Sequence, residues 1–420
     1  MNVTFHASAL QGTITAPSSK SVFQRVVAAS LLAEGTTRIG NPCFVNDGVS
    51  ALAMAGALGA TIDEDDNGLV IEGGFNPRQD FIEPGESGLG IRLFSPIAAL
   101  SDQPIEIIAH GSLNQRPMDV FEAPFDSLGV SFKTTNGTPP LMVHGPMKSG
   151  FVQVDGSLSS QFVSGLLMAL ATLEGDSELI VKNPVSLPYI DMTLEVLEKF
   201  GIDIVHKDHE RYTILGGQKF LASDVTIPGD WSGGAMLLVA AAIAGDGMVK
   251  IDGLNRTFTQ ADEAITGAML FAGCRLANDP DGIRVTAHKI RGLKFDATHC
   301  PDLFPPLAAM AAFAESPSVF TGLHRLKAKE SDRGQAIQQE FAKAGIQVDL
   351  DYEQDTMTVH PGIVRSCTID SHNDHRIAMA GALLAVGSTD ASITIEGIES
   401  IAKSYPEFVD DMADLGAQIG

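Results

Sequence analysis

Leu197-Glu198-Lys199-Phe200-Gly201-Ile202-Asp203-Ile204 runs a helix-like stretch into a glycine and passes at once into a strand-like one, and this junction decides the fold because it recurs. The same succession stands at Leu58-Gly59-Ala60, Leu128-Gly129-Val130, Ala272-Gly273-Cys274, Ala344-Gly345-Ile346 and Leu415-Gly416-Ala417, and the six glycines are 70, 72, 72, 72 and 71 residues apart. A glycine past the last helical turn suits a left-handed terminal residue, and the stretch before Gly201 carries apolar side chains at helical spacing, Met192, Val196, Leu197 and Phe200. Beyond the junctions, Asn67-Gly68, Asn136-Gly137 and Asp281-Gly282 each separate two short strand-like runs, the signal of a tight hairpin.

A second element keeps the same period. A polar or glycine-bearing turn opens a helix of small residues that is apolar all round, with copies beginning near Ser18, Ser87, Ser157, Trp231, Asp302 and Asn373. Helices apolar on every side belong inside a domain, with sheet around them. Six units of about 70 residues fill the chain, which reads as a closed α/β repeat architecture. The last unit stops at Gly420, soon after Gly416, while the chain opens on an unpaired strand-like run, Asn2 to Ala9, expected to complete it. Interruptions at Pro17 and Pro228 suggest three units per domain: a discontinuous domain of 1–17 and 228–420 holding both termini, and a second of 18–227. The period alone fits one ring of six equally well.

Composition narrows the function. Lys and Arg total 28 against 52 Asp and Glu, a formal charge of −24, which argues against nucleic acid and anionic lipid as partners and requires any anionic ligand to be met by a local cationic cluster. Hydrophobic residues make up 44% of the chain, enough to exclude disorder. Cys43, Cys274, Cys300 and Cys367 form no C-x-x-C pair, which disfavours a disulfide framework or structural zinc. No basic residue precedes Lys20, and the longest clean apolar run, Ala235 to Ala244, is about half a membrane span, so a soluble cytoplasmic protein is expected.

The repeated turns precede buried helices, whose N-termini favour anions. Pro17-Ser18-Ser19-Lys20-Ser21 is the first, with Arg25 about a turn on; it lacks the glycines of a P-loop, and Pro17 occupies the place of an S-x-x-K nucleophile. Asp155-Gly156-Ser157-Leu158-Ser159-Ser160-Gln161 offers hydroxyls and an amide. His372-Asn373-Asp374-His375-Arg376 could suggest a metal, but Arg376 entering an apolar helix is a poor neighbour for a divalent cation, and no metal is expected there. Gly85-Glu86-Ser87-Gly88-Leu89-Gly90 matches no dinucleotide fingerprint, and no nicotinamide cofactor is expected.

Taken together and in order, Pro17 to Ser21, Arg116-Pro117-Met118, Ser159-Ser160-Gln161, Ser186-Leu187-Pro188-Tyr189-Ile190-Asp191, Pro228-Gly229-Asp230-Trp231-Ser232, Asp302-Leu303-Phe304-Pro305-Pro306-Leu307, Lys329-Glu330-Ser331-Asp332-Arg333, Asn373 to Arg376 and Ala402-Lys403-Ser404 closely resemble the enolpyruvyl transferases of the 5-enolpyruvylshikimate-3-phosphate (EPSP) synthase family. The resemblance implies a two-domain fold of six βαβαββ-type repeats, three per domain, with the active site in the cleft between domains. It implies transfer of the enolpyruvyl group of phosphoenolpyruvate to the 5-hydroxyl of shikimate 3-phosphate, with release of phosphate, by a monomer without metal or organic cofactor. By the same resemblance Lys20, Ser21, Arg25, Ser159, Ser160, Gln161, Ser186, Tyr189, Asp302 and Lys329 bind shikimate 3-phosphate, while Lys20, Gly88, Arg116, Gln161, Arg333, Arg376 and Lys403 bind phosphoenolpyruvate. Asp302 and Glu330, with Lys20, are the expected proton-transfer groups.

Lys20, Arg25, Arg116, Lys329, Arg333, Arg376 and Lys403 are a quarter of all 28 basic residues, a concentration suited to two phosphates and two carboxylates in a chain of charge −24. One stretch departs from the family pattern. Glu86-Ser87-Gly88-Leu89-Gly90-Ile91-Arg92 keeps Gly88 and Arg92 but has Glu86 for the usual amide and Leu89 for the usual Thr, changes expected to bear on phosphoenolpyruvate and on the inhibitor glyphosate unless Glu86 turns away or pairs, as with Arg92. The sister transferase acting on UDP-N-acetylglucosamine would be expected to show Lys-Asn in the first motif and a cysteine before Arg116; the chain has Lys20-Ser21 and no cysteine between Cys43 and Cys274. RNA 3′-terminal phosphate cyclase shares the repeat, but the acidic balance disfavours RNA. A non-catalytic binder of shikimate 3-phosphate is the remaining alternative.

Overall fold

The computed structural model describes residues 1–65, 68–327 and 329–420. Asn67 of the first expected hairpin and Ala328 of the Lys329 motif lie outside the described residues. Twelve α-helices are described: α1 (Lys20–Leu32), α2 (Asn46–Ala57), α3 (Gly88–Ala98), α4 (Glu122–Ser127), α5 (Ser160–Leu170), α6 (Leu187–Lys199), α7 (Trp231–Ala244), α8 (Ile265–Phe271), α9 (Phe304–Ala311), α10 (Arg333–Lys343), α11 (His375–Gly387) and α12 (Phe408–Asp414).

The even-numbered helices all end in the same way. Gly59, Gly129, Gly201, Gly273, Gly345 and Gly416 follow their last turns with φ between 73° and 128°. In each case the amide one residue beyond the glycine donates to the carbonyl five residues back, as Ile202 N does to Leu197 O, at 2.8–3.0 Å. That pair of features is the Schellman ending, and a Cβ in this left-handed region costs about 1–2 kcal/mol, which is why glycine recurs there. The odd-numbered helices are the buried ones. Every residue of α3 is buried, and α7 and α11 are buried along nearly their whole length.

The chain forms two compact units, one of Met1–Pro17, Gly229–Arg256 and Gln260–Gly420, the other of Ser18–Pro228 with Thr257–Thr259. Within the second unit each repeat builds one sheet. Phe151–Asp155 runs parallel to Ser177–Lys182 with α5 as the crossover, and Arg211–Ile214 then Ile204–Lys207 add antiparallel after α6. The two other sheets of this unit have the same order. At Gly165 of α5 an added Cβ would stand 2.2 Å from Arg92 O, so the glycine lets α5 and α3 pack backbone to side of backbone inside the sheets.

The first unit repeats this plan with α7, α9 and α11 buried. Its last sheet has Cys367–Asp370 parallel to Ser392–Glu396, and the outer antiparallel strand is Asn2–His6, in register from Asn2↔Glu396 to His6↔Ser392. The start of the chain thus supplies the strand that the sixth repeat lacks. Two hairpins differ from expectation: Asp65 pairs with Gly68 and Asp279 with Gly282, so each glycine opens the second strand, and Pro280-Asp281 is the loop of the latter. Gly282 is needed there because a Cβ would meet Ile251 O at 2.1 Å. Among the described residues no helix is long and apolar enough to cross a membrane.

Candidate active site

The second unit gathers most of its candidate side chains at the N-termini of α1, α3, α5 and α6, while Arg116 follows the 3-10 stretch Gly111–Gln115. Ser19 caps α1, accepting from Val22 N, and sets Lys20 as the first helical residue, its Nζ 2.9 Å from Asp47 Oδ2 in the first turn of α2. Arg25, 1% exposed, ties α1 to α6: Nη1 donates to Ser21 O (2.8 Å), Nε to Thr193 Oγ1 (2.8 Å) and Nη2 to Tyr189 O (3.2 Å). Burial lowers its guanidinium to about 10, against an opposing effect of Tyr189. Ser159 caps α5, its Oγ accepting from Gln161 N at 3.3 Å, and Ser160 follows it, buried. Ser186 holds the N-cap position of α6 with φ 53° and ψ 46°. A left-handed non-glycine residue costs about 1–3 kcal/mol, and such strain clusters at functional sites.

Gly88, first residue of α3, faces two guanidiniums. A Cβ there would stand 2.6 Å from Arg116 Nη1 and 3.6 Å from Arg92 Nη1. Arg92 Nη1 donates to Gln161 Oε1 at 2.8 Å, and its guanidinium lies 4.9 Å from the Phe162 ring centroid. Ser87 caps α3 and donates to Gln24 Oε1 at 2.9 Å. Glu86 Oε2 accepts from Ser112 N (3.1 Å) and Ser112 Oγ (3.0 Å) at a short 3-10 turn, Gly111–Gln115. Leu89 packs into the apolar core of the unit. The two departures from the family pattern are thus directed to a neighbouring turn and to the core.

In the first unit Asp302 is the centre of a charged cluster. It sits in a 3-10 turn, Pro301–Leu303, that leads into α9. Its Oδ1 accepts from Arg333 Nη1 (2.7 Å) and Lys329 Nζ (3.1 Å), and Arg376 Nη2 stands 3.5 Å from Oδ2. Arg333 opens α10, fully buried, and donates further to Glu330 Oε2 (2.8 Å), Asp374 Oδ2 (2.9 Å) and Asp374 Oδ1 (3.2 Å). Four of its N–H groups are thereby committed to carboxylates, of the five a guanidinium has. Asp374 caps α11 by accepting from Arg376 N at 3.0 Å. Lys403 ends the 3-10 stretch Ile398–Lys403 and is buried.

Burial alone would raise the Asp302 carboxyl, but Arg376, Lys329 and Arg333 outweigh it and hold it well below the ordinary carboxylate range. Burial makes Lys329 a stronger acid than an ordinary lysine, in spite of Asp302. Asp262 behaves oppositely. Burial, reinforced by the charge of Asp302 and only partly offset by Arg376 and by the Ser232 hydroxyl bonded to it, raises its carboxyl to about 7.

Sequence reasoning missed Asp262, Asp47 and the part played by Asp374. Asp374 had a local signal, an acidic residue at the start of an apolar helix; Asp47 and Asp262 had none. Lys20, Ser21, Arg25, Gly88, Arg116, Ser159, Ser160, Gln161, Ser186 and Tyr189 all lie in the second unit, and Asp302, Lys329, Glu330, Arg333, Arg376 and Lys403 in the first.

A family model described as EPSP synthase (3-phosphoshikimate 1-carboxyvinyltransferase) matches residues 6–412. A 3-phosphoshikimate 1-carboxyvinyltransferase of Clostridium kluyveri is 34% identical over 421 residues, 99% of this chain and 98% of that protein. One of Thermococcus kodakarensis is 35% identical over 409 residues, 97% of this chain and 98% of that protein. Among solved structures, EPSP synthase from Acinetobacter baumannii superposes with a TM-score of 0.84 at 26% identity, covering 100% of this chain and 99% of the other.

Proposed function

The chain belongs to the EPSP synthase family, and from that membership we propose how its residues divide the work of the family's reaction. The enzyme transfers the carboxyvinyl group of phosphoenolpyruvate to the 5-hydroxyl of shikimate 3-phosphate in the shikimate pathway to aromatic amino acids. In the addition step the 5-oxygen bonds to C2 of phosphoenolpyruvate as a proton reaches C3, and the hydroxyl proton passes to a base. In the elimination step C3 gives up a proton while the bond from C2 to the phosphate oxygen breaks, and phosphate leaves.

One turnover draws on both clusters. Ser159, Ser160 and Ser186 hold the phosphate of shikimate 3-phosphate with Lys20, Ser21 and Arg25. Gln161 and Tyr189 complete that set, and Asp302 and Lys329 take the hydroxyls of the shikimate ring. Arg116, Arg333, Arg376 and Lys403 bind phosphoenolpyruvate beside Lys20, Gln161 and Gly88. Asp302 carries the reading: three cations keep it ionised, so it accepts a hydroxyl hydrogen bond throughout, and, as the weak base those cations make it, it takes the proton only once the oxygen bonding to C2 has become strongly acidic. Glu330, held by Arg333, is the second carboxyl of the proton-transfer pair, and Lys20 stabilises developing charge on both substrates. The same reading takes the enzyme as a cytoplasmic monomer that uses no cofactor; its four cysteines, none joined to another, fit a reducing compartment.

The test is phosphate release from shikimate 3-phosphate plus phosphoenolpyruvate, run beside UDP-N-acetylglucosamine plus phosphoenolpyruvate. Release with the first pair alone is expected. Release only with the second pair would transfer the enzyme to the sister activity, and binding of shikimate 3-phosphate without release from either would make it a non-catalytic relative.

A further inference from the structure

The hairpin that follows α6 carries two histidines. His206 lies in the strand Ile204–Lys207, and His209 sits at the turn with φ 56°, next to Asp208 at φ 52°. The two rings stack with centroids 4.5 Å apart, and His206 also stacks on Tyr212 at 5.6 Å. His209 Nε2 is 3.3 Å from Asp191 Oδ1 on α6, and His209 Nδ1 is 3.2 Å from the Tyr212 hydroxyl. One ligand atom from each of Asp191, His206 and His209 lies within 4.8 Å of the others, and no other group of three His, Cys, Asp or Glu converges so closely among the described residues.

Two imidazoles and a carboxylate form a donor set suited to zinc and its first-row neighbours. With bonds of about 2.0–2.1 Å, two ligands of a tetrahedral ion stand about 3.3–3.4 Å apart. The His209–Asp191 pair is already at that separation. His206 is the exposed member, so its ring can close the remaining distance by side-chain rotation. The Tyr212 hydroxyl engages Nδ1 of His209 and so directs Nε2 to Asp191, the outer-sphere contact that ligating histidines generally have.

We propose that Asp191, His206 and His209 form a binding site for a divalent first-row transition cation, with Zn2+ as its representative and solvent in the open position. The ion would tie the hairpin turn to α6 immediately after Ser186 and Tyr189, and so steady the helix turn that bears them. That consequence rests on the assignment of both residues to shikimate 3-phosphate; the ion site itself does not.

The experiment uses tag-free, chelator-stripped enzyme titrated with Co2+, read by its visible ligand-field bands, and then with Zn2+ in competition. One equivalent binding at micromolar or lower concentration is expected. His206→Asn, at an exposed position, should weaken binding at least about tenfold, and Tyr212→Phe should weaken it about 10- to 100-fold with all three ligands intact. Circular dichroism of each variant separates lost binding from lost structure. Absence of saturable binding, or undiminished affinity in His206→Asn and His209→Gln combined, would reduce the cluster to an ion pair and a ring stack. Phosphate release is measured separately, so failure of the substrate reading would leave the metal titration standing.

Discussion

Replacing Asp302 by asparagine should separate chemistry from binding. The carboxylate accepts from Arg333 at 2.7 Å and Lys329 at 3.1 Å, with Arg376 3.5 Å away. The amide keeps an acceptor oxygen, so the hydrogen bond to a substrate hydroxyl is weakened and not lost, about 0.5–1.5 kcal/mol or up to about tenfold in shikimate 3-phosphate affinity. Phosphoenolpyruvate, an anion, meets a cluster one unit more positive and should bind no worse. The proton acceptor itself is gone, which costs about 10²- to 10⁴-fold in the chemical step. Folding should suffer less than the 3–5 kcal/mol or so typical of a broken buried pair, because Glu330 and Asp374 remain on Arg333. Rapid-quench single-turnover rates at saturating substrates, beside calorimetric titration of each substrate, read the two effects apart. A variant with a near-wild-type single-turnover rate would refute the role of Asp302 in proton transfer, whatever its effect on affinity.

Glu330→Gln should lower the single-turnover rate about 100-fold or more while changing both dissociation constants far less, since Glu330 is assigned to proton transfer and the amide keeps an oxygen to accept from Arg333; unchanged turnover would shift the role to Asp302 or Lys20. Gly88→Ala should raise the KM for phosphoenolpyruvate about tenfold or more, because a Cβ 2.6 Å from Arg116 Nη1 must displace that guanidinium and a hydrogen bond to a charged group is worth about 1.5–3 kcal/mol; an unaltered KM in steady-state kinetics would deny Arg116 that contact. Asp262, raised to about 7 in the fold against an ordinary 3.8, favours the folded protein below about pH 4 and loses that contribution as pH rises to about 7. Melting temperature should therefore fall over that window more steeply in wild type than in Asp262→Asn, and parallel curves would contradict the raised value.

What the sequence discloses is what local backbone chemistry demands. The six glycines are legible because a left-handed residue after a helix is a requirement of one position, repeated at a fixed period. The buried helices are legible because small and apolar residues predominate on every side of them, with few charged ones between. The Asp281-Gly282 hairpin is misplaced by one residue because two sites wanted a glycine, a loop and a strand crowded against Ile251, and the strand had it. Pairings between cations and carboxylates are not legible. Asp47 is 27 positions from Lys20 and Asp374 is 41 from Arg333; the place of Asp374 before an apolar helix marks it as a cap, but nothing in a chain of 52 acids marks either one as the partner of its cation. Leu89 reads as bulk beside the substrate until the direction of its helix turn carries it into the core.

The cations that motivated the functional reading are not a bare positive field. Lys20 rests on Asp47, and Lys329, Arg333 and Arg376 converge on Asp302, with Glu330 and Asp374 taking the rest of the Arg333 fork. Such pairing has two consequences of opposite sign. It lowers the net attraction that a substrate phosphate or carboxylate meets, so affinity must come from geometry and from the uncharged donors at the starts of α1, α3, α5 and α6, and not from charge excess. It also holds each guanidinium in a fixed orientation before the substrate arrives, so little side-chain entropy remains to be lost on binding and little reorganisation at the reacting carbon. Ser186 fits the same logic, since a strained left-handed residue persists only where its surroundings over-determine it. A chain of charge −24 can therefore serve anionic substrates because the acids it places beside its cations orient them, and the acids exposed on the surface are screened over about 10 Å at moderate salt.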